Sequence, residues 1–201
     1  MKPSKPIKEW KYVFLDTSVI IDFLQNPEKH AKNPDVQNRI ILTKKLINNL
    51  GVSSNGSKCL FYISAISLSE LIKSSRPENI AQEVALIFNT SDVVFMDFTK
   101  NIANFLQRSL ENYLPDGQKH IFIRQLEKEL KVKNMHNSRQ WVSDDLKIVA
   151  TASTVKKLDA LLTADKNTMY PIAIKLEVPC LITDDIPLNM FGDLDTDLVF
   201  G

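Results

Sequence analysis

Cysteine is scarce: Cys59 and Cys180 are far apart, each beside apolar residues, with no second cysteine or histidine at ligand spacing. That argues against a disulfide framework and against a zinc site, and suits two buried free thiols in a reducing compartment. Charge of one sign is also missing. The chain has 25 Lys and Arg against 24 Asp and Glu, a formal +1, with no acidic tail. It therefore lacks the global basicity of many nucleic-acid binders, and any recognition by charge must be local. No repeat and no low-complexity block is present. Long hydrophobic runs are absent too, because the apolar stretch after the basic Met1-Lys2-Pro3-Ser4-Lys5-Pro6 is broken by Asp16 and Asp22. Neither a signal peptide nor a membrane span fits, and a soluble cytoplasmic protein with no membrane partner is expected. What is plentiful is apolar content, 44% of 201 residues, enough for one well-buried domain over 1–201.

Short apolar runs alternate with amphipathic stretches, the pattern of an α/β fold with a parallel sheet of about five short strands sandwiched by helices. Strands are expected at Tyr12 to Leu15, Leu60 to Ile63, Val93 to Met96, Ala160 to Leu162 and Cys180 to Ile182. Val36, Ile40, Thr43, Ile47 and Leu50 share one face of a helix ending at Gly51, and Ile102, Phe105 and Leu106 mark another. Pro115-Asp116-Gly117 reads as a turn and Asn49 to Lys58 as a polar loop.

In such sheets ligands sit beyond the carboxyl ends of the strands, and four acids fall there. Asp16 closes the first strand, Glu70 lies in the first turns of the helix after the second, Asp145 opens a helix beginning at Ser143, and Asp165 follows Leu161-Leu162-Thr163-Ala164. Each has a structural explanation. Asp16 caps a helix, Ser67-Leu68-Ser69-Glu70 is a capping box, Asp144 and Asp145 complement a helix dipole, and Asp165 makes a turn. Gathered at one sheet edge, however, they would repel by about 4 kcal/mol per pair at roughly 4 Å and an effective dielectric near 20. A cation among them relieves this, and oxygen-only ligands point to Mg²⁺ or Mn²⁺.

These residues resemble the motifs of the PIN-domain nucleases, VapC-like toxins or related PIN ribonucleases. Leu15-Asp16-Thr17-Ser18-Val19-Ile20-Ile21-Asp22 is similar to the opening motif and Ile63-Ser64-Ala65-Ile66-Ser67-Leu68-Ser69-Glu70-Leu71-Ile72 to the second. Asp145-Leu146-Lys147-Ile148-Val149-Ala150 resembles the third, and Leu161-Leu162-Thr163-Ala164-Asp165 the fourth. The resemblance implies a PIN-like three-layer fold and a metal-dependent phosphodiesterase acting on RNA, less commonly DNA. Asp16, Glu70, Asp145 and Asp165 are its carried-over catalytic and metal-binding set. Ser18 and Thr163 would orient a carboxylate or phosphate, and Asp144 is a spare carboxylate beside Asp145. A toxin–antitoxin setting, an antitoxin protein partner and a homodimer belong to the same expectation.

The chain departs from compact PIN toxins by two basic insertions, about 25–58 and 107–140. The first carries six Lys and Arg against two Asp and Glu, the second seven against four, so together they hold +7 and the remaining chain −6. Lys44, Lys45, Arg124, Lys128, Lys131, Lys133 and Arg139 are thus candidates to grip a phosphate backbone. Asp184 and Asp185 read as turn residues, His30, His120 and His136 as solvated, and Trp10 and Trp141 as core or rim packing rather than base-stacking platforms. Two other classes compete. A non-catalytic PIN-like module binding RNA or protein would have no need of four intact acids. A dehalogenase-type phosphatase would want a second Asp where Ser18 stands, and a receiver domain would want paired acids that are not evident.

Overall fold

Strand β1, Tyr12–Leu15, has no solvent face: Val13, Phe14 and Leu15 are at most 3% exposed, although alternate residues point to opposite sides. Such a strand needs parallel neighbours and helices on both faces. The computed structural model supplies them. It describes residues 1–51, 59–74, 92–111, 119–133, 135–189, 191–197 and 199–200. Strands β2 (Leu60–Ser64), β3 (Asp92–Met96), β4 (Ala160–Thr163) and β5 (Cys180–Ile182) join β1 in an all-parallel sheet of order β3-β2-β1-β4-β5. The chain builds outward from β1 to β3, then returns to lay β4 on the other side of β1. A crevice therefore opens between β1 and β4 at the carboxyl ends, where Leu15 is in register with Ile63 and Leu162.

Helices α1 (Thr17–Leu24), α2 (Pro34–Gly51) and α3 (Ala65–Ser74) lie in the first half of the chain. Helices α4 (Lys100–Glu111), α5 (Lys119–Glu129), α6 (Ser138–Ser153) and α7 (Met169–Lys175) follow β3. Val13, Leu15, Phe61, Ile63, Ala160 and Leu162 face Val19 and Ile20 of α1 and Leu46, Ile47 and Leu50 of α2. Phe14, Leu161 and Cys180 face the other way, onto Val142, Leu146 and Val149 of α6 and Met169, Ile172 and Ala173 of α7. The period of two in each strand thus feeds two cores, and each large side chain removed from water contributes about 1.5–3 kcal/mol. Cys59 and Cys180 are free and buried, and burial pushes the Cys59 thiol up to about 12 and raises that of Cys180 as well. Among the described residues no helix is long and apolar enough to cross a membrane.

Three local expectations are corrected. Helix α6 begins at Ser138, not Ser143, because Asn137 turns the chain at φ 61° and the polar first turn Ser138-Arg139-Gln140 hides the helix from a hydrophobicity pattern. The capping box at Ser67 does not form. Ser64 caps α3 instead, its Oγ accepting from Ile66 N at 3.1 Å, which leaves Ser67 Oγ buried inside the helix without a hydrogen-bond partner. The Pro115-Asp116-Gly117 turn and 52–58 of the polar loop lie outside the described residues. Phe105, expected on an inward face, is 40% exposed.

Candidate functional site

Asp16 is the first residue past β1 and the N-cap of α1, where its Oδ1 accepts from Thr17 N at 2.7 Å. Capping uses only one oxygen. Asp16 Oδ2 accepts from Ser18 Oγ at 2.6 Å and from Thr163 Oγ1, at the end of β4, at 2.9 Å. Both hydroxyls are themselves fixed by backbone donors, Ala164 N to Ser18 Oγ and Asp165 N to Thr163 Oγ1, each at 2.9 Å. With acceptor lone pairs so occupied, their protons are directed to Asp16. The pairing of β1 with β4 therefore builds a hydroxyl cradle around a carboxylate that is 4% exposed. Burial nevertheless dominates and pushes Asp16 up to about 6; the bonds from Ser18, Thr163 and Thr17 oppose it, and the charge of Asp165 adds to it.

The other acids arrive on separate elements. Glu70 comes from α3, its Oε2 accepting from Thr17 Oγ1. Asp165 holds the loop after β4, accepting from Asn167 N at 2.7 Å, Thr168 N at 3.0 Å and the Thr168 hydroxyl. Asp145 is the eighth residue of α6, well past the turn in which a helix dipole acts, so the dipole explanation fails for it. Its Oδ2 is buried with no hydrogen-bond partner. Burial raises the Asp145 carboxyl well above the ordinary value, and the charges of Asp16, Asp165 and Glu70 raise it further, against the opposing influence of the nearby Thr168 hydroxyl, whose own proton goes to Asp165.

All four acids line one cleft of about 590 Å³, together with Thr17, Ser18 and Thr168. Asp144 does not. One step along the helix turns it about 100° away, where it accepts from Gln140 Nε2 at 2.6 Å and pairs with Lys147 at 2.8 Å. The cleft is lined as well by Leu130, Lys131 and Val132 from the turn after α5, then Met135 and Trp141.

No family model and no curated protein matches this chain. Nine chains of solved structures do. One is VapBC2 from Rickettsia felis, in a crystal structure bound to a DNA fragment from its promoter, at 16% identity over 85% of this chain and 98% of that one, with a TM-score of 0.40. So distant a likeness leaves any functional argument to the geometry of the cleft.

Among the described residues no three Asp, Glu, His or Cys side chains meet at one point to cage an ion. The acids ring the cleft instead. That arrangement fits a hydrated Mg²⁺ or Mn²⁺, which takes one or two carboxylates and keeps several waters, better than a dehydrated ion in a protein cage. Asp145 Oδ2 is the atom such an ion or a water would serve, because a buried carboxylate oxygen without a donor is costly.

The basic candidates divide. Lys131 lines the cleft, and Arg124, Lys128, Lys133 and Arg139 are exposed around the same α5 to α6 connection. Lys44 turns inward, its Nζ donating to Phe23 O and lying 5.3 Å from the Phe23 ring centroid, and burial lowers its pKa. Lys45 reaches Gly192 O at 3.4 Å. Asp184 pairs with Lys166 at 2.8 Å, while His136 is exposed and His30 half-buried. Thr17 and Thr168 escaped the sequence reading, although each stands within three residues of a site acid. Trp141 escaped as a cleft residue; its signal is the four-residue step to Asp145, which puts both on one helix face.

Proposed function

We propose that the protein is a divalent-metal-dependent nuclease, with RNA as its principal substrate and Mg²⁺ or Mn²⁺ as its cofactor. The observation that carries the reading is the gathering of Asp16, Glu70, Asp145 and Asp165 from four elements into one cleft at the sheet's switch point, with Asp145 Oδ2 buried and unpartnered. Asp16 and Asp145 would hold the ion directly or through water, Glu70 would hold or deprotonate a bound water, and Asp165 would orient this shell or take a second ion. A bound divalent ion would supply an activated water and neutralise charge on the phosphoryl oxygens. Asp16 is oriented for this by Ser18 and Thr163, Glu70 by Thr17, and Asp165 by Thr168. Arg124, Lys128, Lys131, Lys133 and Arg139 would draw the phosphate backbone to a rim that offsets the acidic centre.

The motif resemblance extends the proposal to a toxin held by an antitoxin protein. Cleavage of a mixed panel of RNA and single-stranded DNA with Mg²⁺, Mn²⁺ or EDTA, in wild type, Asp16→Asn and Asp145→Asn, tests the chemistry. Activity that needs the metal and both acids is expected, and activity surviving EDTA and both substitutions would sink the reading. A folded wild type with neither cleavage nor metal binding would favour a non-catalytic binding module.

A further inference from the structure

Helix α6 buries Val142 and Leu146 in the core, yet Trp141 stands 43% exposed, one helical turn before Asp145 and on the same cleft. Met135, 51% exposed, lines the cleft with it, and so does the exposed Lys131. An open indole and thioether beside an acidic centre are not explained by packing, since the fold already takes its apolar contacts from the neighbouring residues. The turn that carries this wall is tied down. Val132 N and Lys133 N both donate to Glu127 O at 3.1 Å, Ser138 Oγ donates to Glu127 Oε1 at 2.7 Å, and Met135 N donates to Val132 O at 3.0 Å. Aromatic surface, a cation and a phosphate-directed centre in one cleft form the combination that takes single-stranded nucleic acid, stacking on the ring and charge on the backbone.

Building on the nuclease reading, we propose that Trp141, flanked by Met135, is a stacking shelf for an unpaired nucleobase next to the scissile phosphate. The step of four residues from Trp141 to Asp145 sets the shelf about one helical turn, roughly 5 Å, from the carboxylate. Bases inside a duplex are already stacked, so the cleft takes unpaired strand, whether RNA or DNA, and Lys131 holds the flanking phosphate.

The test is binding in the Asp145→Asn background, with a short single-stranded RNA, its DNA counterpart, abasic versions of both, and a duplex. The chain has two tryptophans, and Trp10 is 4% exposed in the core, so quenching of indole emission reports on Trp141 where it is present, and the affinities of all variants are read from the anisotropy of end-labelled strands. Intact strands are expected to quench. Trp141→Ala should weaken them about 5- to 150-fold and Trp141→Phe restore most of the loss, whereas abasic strands and the duplex should not distinguish the variants. Equal RNA and DNA losses would assign the contact to the base, and a loss confined to RNA, to the sugar, would overturn the shelf. So would a Trp141→Ala protein that binds intact strands like its parent, or loses abasic strands equally. Base-dependent quenching in a protein whose wild type never cleaves would uphold the shelf while the nuclease reading fell.

Discussion

Replacing Asp16 by Asn should change its effect on stability with pH, and the structure gives the size. Burial moves the Asp16 carboxyl from an ordinary 3.8 to about 6, so the folded protein binds more protons than the unfolded chain between those values. Stability is therefore lost as pH rises through this window. By neutral pH the metal-free protein carries the whole penalty, about 3 kcal/mol for a shift of roughly two pH units. Asn carries none, but its amide NH₂ cannot accept the Ser18 and Thr163 hydroxyls, and two lost hydrogen bonds cost about 2 kcal/mol. Without metal, Asp16→Asn should thus destabilise by about 2 kcal/mol near pH 4 and stabilise by about 1 kcal/mol near pH 7.5, a rise in Tm of about 2–4 °C. Denaturant melts of both proteins in EDTA at the two pH values measure the difference. Mg²⁺ should then stabilise wild type and leave Asp16→Asn unmoved. A stability change that is the same at both pH values would refute the reasoning, because it would mean that Asp16 is not charged at a cost in the fold.

Thr168→Val should leave the chain folded while lowering metal affinity or cleavage about 10- to 100-fold, since it frees Asp165 and removes the hydroxyl facing Asp145; titration of Mg²⁺ against rate checks it. Reversing Lys131, Lys133 and Arg139 to Glu should weaken RNA binding and flatten its salt dependence, with each phosphate contact removed lowering the slope by about one. Lys44→Gln should leave that slope unchanged, because Lys44 faces Phe23. Arg39→Ala should destabilise by about 3 kcal/mol in urea melts, because Asp22, 2% exposed, loses the guanidinium that holds it at 2.7 and 3.1 Å.

The five strands could be placed from sequence to within about a residue because each is a short branched or aromatic run between polar punctuation, and the sheet buries both its faces. The start of α6 could not. Its first turn is Ser138-Arg139-Gln140, and the residue that turns the chain into it, Asn137, gives no hydrophobic signal. The acids of the cleft were visible as residues at strand ends, but what orients them was not. Thr17 bonds a carboxylate 53 positions away and Thr163 one 147 positions away, links that exist only once α3 packs on α1 and β4 pairs with β1. The place of Trp141 on the cleft was hidden for a related reason: an aromatic in an amphipathic pattern reads as core or rim packing until the helix phase shows Val142 and Leu146 taking the core.

Local sequence does not separate a structural carboxylate from one kept for a ligand; what the fold sets opposite it does. Asp22 is met by Arg39, Asp144 by Lys147, and Asp159 by Lys5 together with Lys11 N and Tyr12 N. Asp16, Asp145 and Asp165 have no ion pair among the described residues; Asp16 and Asp165 are held by hydroxyls and amides, and Asp145 has only the Thr168 hydroxyl nearby, with its Oδ2 unpartnered. Hydroxyls and amides orient a carboxylate without neutralising it. A fold that provides cations for its other buried aspartates and only dipoles for these keeps negative charge concentrated in the cleft, and Asp144 and Asp145, adjacent in the chain, show both treatments one residue apart. Supplying the missing charge internally, by Thr168→Lys, should stabilise the metal-free protein and abolish its response to Mg²⁺ in denaturant melts; stabilisation with the Mg²⁺ response intact would show that the acids do not await a cation.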